Sequence, residues 1–99
     1  IYTGRLFENV VYLQLLYEGW SVHVGKLYGK EVDFVATKDG RVLYVQATDE
    51  MFARETRERE IASLKSIRDN HEKTVVVRQG SYDTDIDGIR IVGARDFFL

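Results

Sequence analysis

The sequence predicts a single mixed α/β domain of order αβββαβ, with a central sheet flanked by helices and a short final strand. Three observations carry that expectation. Apolar residues recur at helical spacing over residues 3–18, and again behind a charged stretch within residues 52–70. Between these lie three strand-like runs, the second and third joined by an Asp-Gly turn. A β-branched run at residues 74–78 then follows the second helix, as layered α/β packing requires.

Each element has its own signal. In residues 3–18, Leu6, Val10, Leu13 and Tyr17 form one stripe, and Phe7, Val11 and Leu15 widen it. Thr3 is the expected N-cap and Gly19 the expected stop. Residues 20–28 read as a strand ending at Tyr28-Gly29-Lys30. Residues 31–37 alternate Val32, Phe34 and Ala36 with Glu31, Asp33 and Val35. Lys38-Asp39-Gly40 suits a tight hairpin, because Asp and Gly tolerate positive φ. Residues 41–48 are apolar enough for burial on both faces. In residues 52–70 a charged run from Arg54 to Glu60 reads as a solvated face with i,i+4 pairs such as Glu55–Arg59. Ile61, Leu64 and Ile67 supply the apolar side. Residues 74–78 are the expected central strand and 79–88 an Asp-rich loop. Residues 89–92 form the last strand and 95–99 a turn of helix.

Ninety-nine residues suit one core and are too few for two. With 14 basic and 16 acidic residues the net charge is -2, so no global positive field draws in nucleic acid. The absence of cysteine excludes a disulfide framework and a thiolate zinc site. No apolar run approaches the ~20 residues that span a bilayer, and no secretory signal occurs. A cytoplasmic setting with no membrane partner is the expectation. The chain opens Ile1-Tyr2-Thr3-Gly4 without an initiator Met, and is expected to be a piece of a longer protein.

Asp33 and Gln46 each bring a polar side chain into an apolar strand on either side of the Asp39-Gly40 turn, and centring that turn places Asp33 opposite Gln46 or Tyr44, within a residue or so. Glu8 adds an acid among Leu6, Phe7, Val10 and Val11. Hard oxygen donors in this arrangement suit Mg²⁺ or Mn²⁺, with Asp33 and Glu8 as the expected ligands. Structural readings stand beside this one. Asp33 could cap a loop or pair with Lys30 or Arg41, Glu8 could face water, and Gln46 could be an interior amide satisfied by backbone groups.

Four blocks in order carry a resemblance: Gly4-x-Leu6-Phe7-Glu8-Asn9, Gly29-Lys30-Glu31-Val32-Asp33-Phe34-Val35, Tyr44-Val45-Gln46-Ala47-Thr48, and Glu55-Thr56-Arg57-Glu58-Arg59-Glu60. Over nearly its whole length the chain resembles the C-terminal domain of unknown function that follows the AAA+ module in prokaryotic ATPases. The resemblance implies an N-terminal P-loop ATPase in the same polypeptide; no G-x-x-x-x-G-K-[ST] occurs in these 99 residues. That domain is similar in turn to the PD-(D/E)xK restriction-endonuclease-like superfamily. By position Asp33 matches the motif's Asp, Gln46 its Glu/Gln and Glu8 the acid of the first helix. Thr48 stands where the motif has Lys. In such nucleases the Lys orients the attacking water and stabilises charge on phosphate, which Thr does poorly. Lys65 and Lys30 are the candidate substitutes.

The expectation is therefore a degenerate nuclease fold, an accessory module that binds nucleic acid or a protein partner without cleavage. An active Mg-dependent nuclease with a displaced lysine and a purely structural or oligomerisation module are the alternatives. Arg54, Arg57, Lys65 and Arg68 recur at near-helical multiples, so a local basic ridge is expected, with Arg57 and Lys65 as its nucleic-acid contacts. Asp83 to Gly88 matches the start of an EF-hand loop, yet its twelfth position is Ala94 and it reads as an Asp-rich turn. His23 and His71 have no spacing partner, and Ser63 and Ser81 lack a companion base.

Overall fold

A computed structural model describes residues 2–27, 30–51, 54–80 and 84–98, with side chains from residue 5 onward and not over 25–31. The elements are α1 (Tyr2–Tyr17), β1 (Ser21–Leu27), β2 (Lys30–Lys38), β3 (Arg41–Thr48), α2 (Arg54–Lys65), β4 (Glu72–Val77), β5 (Asp85–Ile86), β6 (Ile89–Gly93) and α3 (Ala94–Phe97). The expected αβββαβ core is present. Its strands form one mixed sheet of order β1-β2-β3-β4-β6-β5. β1, β2 and β3 run antiparallel, β3, β4 and β6 run parallel, and β5 returns antiparallel along β6.

Alternation along the strands builds two cores, one on each face. Phe34, Ala36, Val45, Ala47, Val76 and Val92 meet Phe7, Val11 and Leu15 of α1, with α3 packed beside them. Tyr44, Val75, Val77, Ile89 and Ile91 meet Ile61 and Leu64 of α2, and Ile67 beyond its end. β3 and β4 are buried on both faces, which is why their sequences read as unbroken apolar runs.

Several expectations need correction. On α1 the expected inner stripe lies outside: Leu6, Leu13 and Tyr17 are 60%, 60% and 87% exposed, and Val10 is 47% exposed. The i, i+4, i+8 row of Phe7, Val11 and Leu15 faces the sheet instead. A helix with two apolar rows packs only one of them on a single sheet, and periodicity does not say which. α2 ends at Lys65 and not near Asn70. Its last turn tightens, with the Ile67 N–H donating to the Leu64 carbonyl and the Ser66 hydroxyl to the Ser63 carbonyl. Asp69 then accepts the His71 N–H and turns the chain into β4.

The Asp-rich loop contains a hairpin. Asp87 and Gly88 both take positive φ, 53° and 82°, and join β5 to β6 as a two-residue turn. The Asp85 carboxylate accepts the Gly88 N–H, so this acid serves the turn. The first hairpin is as expected, with Asp39 and Gly40 at φ 51° and 80° between Lys38 and Arg41. The Tyr28-Gly29 turn, the start of the second helical stretch at Phe52, and Ser81 and Asp83 lie outside the described residues.

Candidate functional site

Asp33 sits where the sheet is locally irregular. Between Val32 and Val35, β2 carries one residue more than β1, so Asp33 and Phe34 together oppose Val24. The regular pairing of β2 with β3 runs as far as Phe34 and Val45, and its continuation places Asp33 across from Gln46. There side chains take over from the ladder. The Gln46 amide oxygen accepts the Asp33 N–H at 2.6 Å, and the Asp33 carboxylate accepts the Ala47 N–H at 2.9 Å. Gln46 is buried and Asp33 half-buried, so each side chain satisfies a backbone donor that water reaches poorly.

Two further acids approach Asp33, one from each helix. Glu8 on α1 is open to solvent on one side; partial burial and then the Asp33 carboxylate raise its pKa, against Arg5. Glu60 on α2 has a side chain only 13% exposed. Burial first, then the carboxylates of Asp33 and Glu8, push its pKa up to about 7, against Arg59. Arg59 lies 3.9 Å away and is itself largely exposed, so it screens Glu60 weakly.

The donor chemistry of this cluster suits Mg²⁺ or Mn²⁺. Among the described residues no three His, Asp or Glu side chains are placed to hold such an ion. The Gln46 oxygen and one Asp33 oxygen are already committed to backbone N–H groups. Thr48, which the resemblance sets where the motif has Lys, donates to the Glu50 carbonyl at 3.2 Å. Lys65 is not at the site. It pairs with Asp87 at 3.1 Å on the β5–β6 turn, at the other end of the sheet from β2. The Lys30 side chain lies outside the described residues. The structure thus brings together Glu8, Asp33 and Gln46, adds Glu60, and leaves Lys65 elsewhere.

Residues 3–97 match the family described as "Domain of unknown function (DUF4143)". The chain belongs to that family. It is 41% identical over 98 residues to an uncharacterized protein of Haemophilus influenzae, covering 99% of this chain and 24% of that protein. The chain thus spans about a quarter of the length of this relative. No solved structure matches it.

The expected basic ridge of this DUF4143 domain is partly neutralised. Arg54 pairs with Glu58 at 2.9 Å and Lys65 with Asp87. Arg57 is half-buried beside Glu58, Ile61 and Asp87, in a shallow groove of about 250 Å³. Among the described residues no helix is long and apolar enough to cross a membrane.

Glu60 was hidden in the sequence by its charged neighbours. Its spacing from Leu64 and Ile67, i, i+4 and i+7, was the available signal that it faces the sheet. Asp69 is a second hidden acid. Burial pushes its carboxyl up, but hydrogen bonds from the Tyr44 hydroxyl (2.7 Å), the His71 N–H and Lys73 outweigh that and hold it at about 2.

Proposed function

We propose that this DUF4143 domain is a non-cleaving accessory module of a longer polypeptide, built on a nuclease-like scaffold and acting by binding a protein partner. One observation carries the reading. Gln46 and Asp33, the positions that match the nuclease motif, each give one side-chain oxygen to a backbone N–H, of β2 and β3 respectively. Beside them stand Thr48, tied to Glu50, and acids whose neighbouring cations are Arg5 and Arg59. A phosphodiester cleaved here would meet like charge, with no lysine at the motif position to offset it.

The four sequence blocks support placing the domain behind an AAA+ module, which would supply ATP binding and hydrolysis. A protein partner is favoured over nucleic acid by the net charge of -2 and by the ion pairs that occupy Arg54 and Lys65.

Calorimetric titration with Mn²⁺ and Mg²⁺ tests the site. The expected result is no saturable binding. Saturable binding that disappears in Asp33→Ala would move the reading to the active nuclease. A low-salt gel shift tests the partner class. Retardation of DNA that weakens when Arg57 and Lys65 are both neutralised would assign a nucleic-acid role instead.

A further inference from the structure

α1 carries an apolar seam that this domain does not use. Leu6, Val10, Leu13 and Tyr17 follow one another at steps of four, three and four residues, the a/d rhythm by which one helix packs along another. The seam lies roughly 130° round the helix from the row of Phe7, Val11 and Leu15 that meets the sheet. All four side chains are exposed, Tyr17 at 87%. Leu16 adds further exposed apolar surface on the same helix. A contiguous row of this kind marks a surface that something covers.

We propose that an apolar helix from the same polypeptide, outside these 99 residues, packs along this seam and fixes the domain to the rest of the protein. The occupant follows from length and area. The chain accounts for 24% of its Haemophilus influenzae relative, so about three quarters of such a protein remains to supply a helix. Four side chains over ~16 Å of helix bury far less than the ~800 Å² per partner of a stable interface between separate molecules. A tethered helix needs less area, because linkage holds it at an effective concentration of ~1 mM. The packing of a left-handed helix pair, crossing at ~20°, suits the four-three-four spacing. The inference rests on the longer-polypeptide part of the proposed function and is independent of the acid cluster.

Thiol labelling of the full-length polypeptide tests it. Leu13→Cys is compared with Asp96→Cys on the exposed side of α3, each rate read at its own peptide by mass spectrometry. Tyr17→Cys serves as a second seam position, since its side chain makes the least contact within the domain. The expected result is that both seam cysteines react about tenfold or more slowly than Cys at 96, at every protein concentration. Equal rates would overturn the proposal by showing an open seam. Protection that appears only as concentration rises, together with a doubled mass, would overturn it in favour of a second copy. Neither result bears on metal binding or cleavage, so failure here is distinct from failure of the site reading.

Discussion

Asp33 and Gln46 bind each other's strands: the Gln46 amide oxygen takes the Asp33 N–H, and the Asp33 carboxylate takes the Ala47 N–H. The pair replaces ladder hydrogen bonds next to the β2 bulge, and so ties the β2–β3 pairing where its regular register stops. This structural duty makes the two residues sensitive to change for reasons of stability.

Gln46→Leu keeps the approximate volume and removes the acceptor. The Asp33 N–H then loses its partner in a poorly hydrated place, at a cost of ~1–3 kcal/mol. For a domain of this size each kcal/mol lowers Tm by about 4–8 °C. A thermal melt followed by circular dichroism is the check, and an unchanged Tm would contradict the role.

Glu60 makes stability fall as pH rises. Its folded pKa of about 7 stands above its ordinary value of 4.5. The stability contributed by the protonated form is therefore complete below pH 4.5 and is lost as pH rises through about 7. Glu60→Gln removes the charge and should stabilise the domain at pH 8 by up to ~3 kcal/mol, with little difference at pH 4. Urea melts of both proteins at the two pH values measure the difference. An equal effect at both would show that charge is not the cause.

Asp69 acts in the opposite direction. Its folded pKa of about 2 lies below the ordinary 3.8, so its contribution is complete above pH 3.8 and is lost as pH falls through about 2. Asp69→Asn should cost ~2 kcal/mol at neutral pH and flatten the acid limb of the stability profile. The Tyr44 hydroxyl is its chief partner, so Tyr44→Phe should produce a smaller change of the same kind.

Much of the fold was legible because period and punctuation agree. Asp39-Gly40 fixed the first hairpin, and the β-branched residues of β4 marked a central strand. The second hairpin was missed because β5 has only two residues, too few to show alternation, although Asp87-Gly88 carried the same turn chemistry. On α1 two apolar rows compete, and the choice between them depends on the sheet, which periodicity does not see. At the site, counting outward from the turn set Asp33 opposite Gln46 or Tyr44, and the strand register selects Gln46. Glu60 was not legible, because its neighbours are charged and its burial depends on how α2 meets the sheet. The position of Lys65 was set by the β5–β6 turn, which brings Asp87 within reach.

We propose that Asp33 and Gln46 hold the sheet and do not cleave. The most direct test is cleavage of supercoiled DNA by the full-length polypeptide with Mn²⁺, wild type beside Asp33→Ala. No cleavage by either protein above the protein-free background is expected. Cleavage by the wild type that Asp33→Ala abolishes would contradict the proposal.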